Sequence, residues 1–105
     1  MNIGIIGLGF VGNAIKQSFN IFNINTTTFD KYKNIGNFDH CLLTDLLFLT
    51  LPTPFSKNLQ QFDKSEIYNT CELLENNNYK GIVILKSTVE PETTNTLSNK
   101  FKNIT

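Results

Sequence analysis

Continuous apolar runs occupy Asn2 to Gly7, Leu46 to Leu51 and Gly81 to Lys86, the last carrying Ile82, Val83, Ile84 and Leu85. A strand with one wet face alternates apolar and polar residues, so unbroken runs predict strands buried on both faces in a parallel sheet. Asn25 to Phe29 adds three consecutive β-branched threonines and ends at Asp30, which predicts another strand with its acid at the carboxyl end. Between these runs the period changes. Val11, Ala14, Ile15, Ser18 and Phe19 recur at helical spacing and fade at Asn20 to Asn23. Asp63, with Glu66 three residues on, predicts a capped helix start; Ile67, Cys71, Leu73 and Leu74 supply much of its buried face, and Asn76 to Asn78 end it. Pro91 suits the first position of a last helix running to about Phe101. Asp30 to Gly36 and Phe55 to Phe62 read as loops, and Phe38 to Leu43 has room for a single helical turn.

Strands alternating with helices predict an α/β fold, a parallel sheet with right-handed crossovers and a ligand crevice at the strands' carboxyl ends. With the first strand central, four separate segments converge on that rim: Gly7 to Gly12, Asp30, Pro52 to Pro54 and Ser87-Thr88. That convergence carries more weight than any one motif.

Composition narrows the partners. The 105 residues are 40% hydrophobic, enough for one core that buries roughly two thirds of the unfolded surface. Nine basic and nine acidic residues cancel, which leaves no broad positive field for nucleic acid or an anionic membrane. The apolar run at Ile3 to Val11 is too short to span a bilayer and lacks a basic start, so neither anchor nor signal peptide is expected, and a cytoplasmic setting is. Cys41 and Cys71 stand far apart without metal-ligand spacing and read as packing residues, and His40 has no ligand cluster around it; no metal site is expected.

Gly7, Gly9 and Gly12 satisfy G-x-G-x-x-G between a buried strand and a helix, the context in which the pattern has meaning. The first glycine permits the tight turn, the second lets a pyrophosphate approach the backbone, and the third allows close packing of helix on strand, while the helix N-terminus offers N–H groups to phosphate. Asp30 follows at close to the roughly 20-residue offset expected of the acid that accepts the adenosine ribose hydroxyls. A carboxylate there favours NAD and repels the 2′-phosphate of NADP, although Lys31 and Lys33 stand near enough in sequence to neutralise it. Thr53, held between two prolines, presents its hydroxyl and amide in a restricted geometry, or else the prolines only stop the strand. Ser87 and Thr88 offer hydroxyls after the last strand and are equally placed to cap the helix at Pro91.

Three segments together, Ile6-Gly7-Leu8-Gly9-Phe10-Val11-Gly12, Leu51-Pro52-Thr53-Pro54 and Lys86-Ser87-Thr88-Val89-Glu90-Pro91, resemble the NAD-binding domain of the UDP-glucose/GDP-mannose dehydrogenase family. The resemblance implies an abbreviated Rossmann-type domain over residues 1–105, because the path from Asp30 to Pro52 has little room for the helix and strand usual there. It implies NAD as cofactor, a nucleotide sugar as substrate, and cofactor contacts at Val11, Asp30, Thr53 and Thr88, beside the candidate contacts already read at Gly7, Gly9, Phe10, Gly12 and Ser87, with Lys33 in the place of a basic contact whose usual spacing falls on Ile35. Thr88 takes a supporting catalytic part, helping to position a water. Family enzymes oxidise the sugar C6 alcohol to a carboxylate in two NAD-linked steps through a thiohemiacetal on a cysteine. The resemblance places that cysteine, the accompanying Glu, Lys and Asn, and the substrate domain beyond Thr105. The 105 residues are therefore expected to be the cofactor part of a nucleotide-sugar 6-dehydrogenase and inactive alone. A non-catalytic dinucleotide-binding module, or the cofactor domain of another NAD(P)-dependent reductase, is the alternative.

Overall fold

The computed structural model describes residues 1–58, 61–87, 96–98 and 101. Each apolar run becomes a strand of one sheet: β1 (Ile3–Ile6), β2 (Thr26–Asp30), β4 (Leu46–Leu49) and β7 (Ile82–Leu85), with β3 (Ile35–Gly36) added at one edge. The order is β3-β2-β1-β4-β7. β1 pairs in parallel with β2 and β4, and β4 in parallel with β7, so β1 is central as its unbroken burial demands.

Alternation along the strands sends side chains to two helical layers. Ile5 and Phe48 face α1 (Phe10–Ile21), where the Phe19 and Phe48 rings lie 6.0 Å apart. Ile6, Leu47, Leu49 and Val83 face the other way and join Ile67, Cys71 and Leu74 of α3 (Ser65–Asn76) and Cys41 of α2 (Phe38–Cys41) in the main core. Leu97 and Phe101 close the same core, and residues 96–98 are helical, part of the stretch for which a last helix is expected. Its start at Pro91 lies outside the described residues.

Several expectations are corrected. The turn after β2 is not an open loop: β3 runs antiparallel to β2, with Asp30 opposite Ile35, so the sheet is mixed rather than wholly parallel. Asn34 takes a positive φ of 55° in that turn, as do Asn23 after α1 and Asn78 after α3, left-handed positions that asparagine tolerates better than most residues. Inside the expected loop from Phe55 to Phe62, β5 (Phe55–Ser56) and β6 (Gln61–Phe62) pair antiparallel. On α1, Ala14 and Ser18 face solvent, and the sheet is covered through Gly12, Ile15 and Phe19 instead. On α3, Leu73 is 49% exposed while Thr70 is buried. Asp63 does not form the expected capping box. Its carboxylate accepts the Ser65 N–H at 3.0 Å, its own N–H goes to Pro54, and Glu66 turns elsewhere.

Candidate functional site

The sheet ladder runs one residue past the strand ends. Gly7 N–H donates to Phe29 at 2.8 Å, Thr50 N–H to Ile6 at 2.9 Å and Lys86 N–H to Leu49 at 2.9 Å. These bonds fix where three loops leave the sheet, and the order reverses between β1 and β4, where open α/β sheets bind ligands. A cleft of about 600 Å³ opens there.

All four expected segments reach that cleft. Gly7, Gly9, Phe10 and Val11 line it from the first, and Asp30 and Lys33 from the second. Thr53 lines it from the third and Ser87 from the fourth, where Ser87 Oγ lies 3.5 Å from the Leu49 carbonyl. Gly12 is buried beneath the turn and does not line the cleft, which suits its expected packing role. Thr88 lies outside the described residues.

The backbone demands glycine at two of the three positions, and the third differs. Gly7 holds φ +97°, and a Cβ there would meet the Thr50 carbonyl at 2.4 Å. At Gly12 a Cβ would stand 1.9 Å from the Gly7 carbonyl oxygen, so helix and turn touch backbone to backbone. A Cβ on Gly9 meets nothing within 4 Å. Space at this position is therefore open cleft, on the path by which a phosphate would reach the backbone. No side chain caps α1, and a bound anion can take its first-turn amides.

Leu8, given no role of its own in the glycine turn by the sequence, is where the site is tied together. Its N–H donates to Asp30 Oδ2 at 2.7 Å. Its carbonyl accepts Asn13 Nδ2 at 2.8 Å and the Lys33 ammonium. Asp30 Oδ1 also accepts the N–H groups of Tyr32 and Lys33, each at 3.0 Å. Burial resists ionisation of this carboxyl, but the amides of Leu8, Lys33 and Tyr32, with the Lys33 charge, together hold it below the ordinary carboxylate value. Asp30 is thus an anion fixed at the rim, only 8% exposed.

Besides Leu8, the sequence reading missed three contributors. Thr50 Oγ1 donates to the Gly7 carbonyl at 2.5 Å and lies 3.2 Å from that of Ile6; its only signal was a hydroxyl near the end of an apolar run. Asn13 is a polar residue on the first turn of a helix, common enough to pass unnoticed. Glu66 reaches across the cleft, where Oε1 accepts the Tyr32 hydroxyl at 2.6 Å and Oε2 lies 3.3 Å from Lys31 Nζ. Hydrogen bonding to Glu66 raises both the Lys31 ammonium and the Tyr32 phenol above their ordinary pKa values.

Cys41 and Cys71 are both buried, and burial pushes each thiol up to about 11, with the Glu75 charge adding to the effect at Cys71. Among the described residues no group of three or more His, Cys, Asp and Glu side chains is placed to hold a metal, and no helix is long and apolar enough to cross a membrane.

No protein-family model matches the chain, and no curated protein matches it. Among solved structures, a GDP-mannose dehydrogenase from Pseudomonas aeruginosa, crystallised as a ternary complex, matches with a TM-score of 0.75 at 20% identity. The match covers 92% of this chain and 30% of that one. At that identity the likeness is one of fold: a Rossmann-like α/β sheet flanked by helices, found in a dehydrogenase.

Proposed function

We propose that the cleft binds NAD and that these residues form the cofactor-binding part of a nucleotide-sugar 6-dehydrogenase. The observation that carries the reading is the meeting of four strand-end segments on one cleft, with Gly9 open at its centre. The residues fit the cofactor. Gly9 and the first-turn amides of α1 suit the pyrophosphate, and the Asp30 carboxylate suits the adenosine ribose hydroxyls. Phe10 and Val11, both exposed at the start of α1, together with Thr53 and Ser87 on the later loops and with Thr88, which lies outside the described residues, are assigned to the remainder. Bound there, NAD would supply a hydride acceptor for the carbon being oxidised.

The nucleotide-sugar assignment rests on the three motif segments and agrees in fold with the GDP-mannose dehydrogenase. Oxidation of an alcohol to a carboxylate through a thiohemiacetal needs a reactive thiolate. Neither Cys41 nor Cys71 supplies one, because both are buried and neutral at physiological pH. The 105 residues by themselves accordingly bind cofactor without turning over the sugar. Two separated, reduced thiols fit a cytoplasmic setting.

Titration of NAD and of NADP, followed by thermal unfolding, tests the binding claim. NAD at 100 times its dissociation constant stabilises by about 2.7 kcal/mol, a shift of several degrees for a domain of this size. A melting temperature unmoved by millimolar NAD overturns it. Steady NADH formation from the purified 105-residue protein with UDP-glucose or GDP-mannose overturns the claim that it is inactive alone.

A further inference from the structure

Two lysines stand in the turn beside Asp30, and a cation near the ribose end is what allows a dinucleotide site to accept a 2′-phosphate. Both are already engaged. The Lys33 ammonium is held on the Leu8 carbonyl, inside the glycine turn. Lys31 Nζ lies 3.3 Å from Glu66 Oε2, and the other oxygen of the same carboxylate takes the Tyr32 hydroxyl at 2.6 Å. Lys31 Nζ also sits 5.1 Å from the centre of the Tyr32 ring, so the two turn residues meet Glu66 as a unit.

Glu66 comes from the first turn of α3, on the opposite wall from the β2–β3 turn, and it lines the same cleft as Asp30, Lys31, Tyr32 and Lys33. With Glu66 present, the carboxylates of Asp30 and Glu66 and the ammonium groups of Lys31 and Lys33 cancel across this end of the cleft; without it, one positive charge is left over beside the position assigned to the ribose. A 2′-phosphate needs a cation that is not already neutralised. The Lys31 and Glu66 side chains are 56% and 24% exposed, so solvent screens the pair and it holds the charge without locking the cleft.

From this arrangement we infer that Glu66 is a specificity-determining residue: by neutralising Lys31 it withholds the turn's cation from a 2′-phosphate and sets the site for NAD against NADP. The inference rests on the NAD reading of the cleft and adds to it a second carboxylate, brought from another element, beside the one at Asp30.

The test is a double-mutant cycle read as the ratio of the NADP to the NAD dissociation constant, measured by calorimetry at low salt. Glu66→Gln keeps the size and an acceptor for Tyr32 but removes the charge; the ratio is expected to fall about fivefold, the scale of one partly exposed charge pair. Lys31→Ala alone leaves the ratio near that of the parent, and in the Glu66→Gln background it restores it. The effect shrinks as salt is raised. A ratio that Glu66→Gln does not move, or that moves and is not restored by removing Lys31, overturns this inference alone. Failure of the parent protein to bind either dinucleotide overturns it together with the NAD reading. Far-UV circular dichroism of each variant confirms that the comparison is made between folded proteins.

Discussion

The Asp30 carboxylate accepts the Leu8 N–H at 2.7 Å, so the end of β2 is bonded to the turn that follows β1. The acid assigned to the ribose is thus also a support for the glycine turn that would hold the pyrophosphate. Asp30→Ala is expected to weaken NAD binding by about 1–3 kcal/mol, the scale of lost charged hydrogen bonds, and to lower thermal stability as well. Isothermal calorimetry reads the first and a melting curve the second. Unchanged NAD affinity would falsify the ribose assignment.

Asp30 also sets an acid-side dependence of stability. Its carboxyl is held below the ordinary value of 3.8 in the folded protein, so the unfolded chain binds the proton more readily. The stabilisation is complete above the unfolded value and is lost as pH falls through the folded one. Urea midpoints measured from pH 6 to pH 3 should therefore decline more steeply for the parent protein than for Asp30→Asn. Parallel declines would mean that the amides around Asp30 do not discriminate between its two forms.

Gly9 and Gly12 separate folding from binding. Because a Cβ on Gly9 meets open space, Gly9→Ala should fold with little change in melting temperature and lose NAD, its methyl standing where the pyrophosphate approaches. Gly12→Ala drives a methyl to 1.9 Å from the Gly7 carbonyl and should cost on the order of 3 kcal/mol of stability. The pair of melting curves, with one NAD titration of Gly9→Ala, decides. Normal NAD affinity in Gly9→Ala would place the phosphates elsewhere.

The buried thiols act at the alkaline end. Cys41 and Cys71 are held protonated up to about 11, whereas in the unfolded chain they ionise near 9. Between those values the unfolded state loses protons that the folded state keeps, so stability falls as pH rises through that window. Replacing both with Ala should flatten the decline between pH 9 and pH 11 while lowering stability overall. At pH 7.5 both thiols should react slowly with an aromatic disulfide reagent and quickly in urea; fast labelling of the native protein would contradict their burial.

Most of the rim was legible because its determinants are local. Unbroken apolar runs mark strands buried on both faces, and a glycine triplet between strand and helix marks the turn. The β2–β3 hairpin was not, since two residues of strand are set by Asn34 at a positive φ and not by any hydrophobic period. Glu66 has the spacing of a capping box with Asp63, yet it bonds to Tyr32 across the cleft, because only the folded sheet brings the β2–β3 turn opposite α3. Leu73, expected on the buried face, is half exposed while Thr70 is buried, for a related reason: the helical period gives a stripe, and the rotation of α3 against the sheet selects which edge of it is covered.

Thr50 gives the sharpest test of how the turn is held. Its hydroxyl donates to the Gly7 carbonyl at 2.5 Å, while its own carbonyl is the atom that a side chain at Gly7 would strike. The β4 end therefore shapes the β1 turn from both sides. Thr50→Val keeps the volume but leaves the Gly7 carbonyl without that donor, and should cost about 1–3 kcal/mol in urea unfolding. Thr50→Ser restores the donor and should recover most of the loss, less the small contribution of the missing methyl group. If the two variants are equally destabilised, the hydroxyl contributes nothing beyond packing, and the turn is held by the Gly7–Phe29 backbone bond and by Asp30, Lys33 and Asn13 through Leu8. If Thr50→Val also weakens NAD while Thr50→Ser does not, the bond between β4 and the turn is part of what keeps the cleft ready for the dinucleotide.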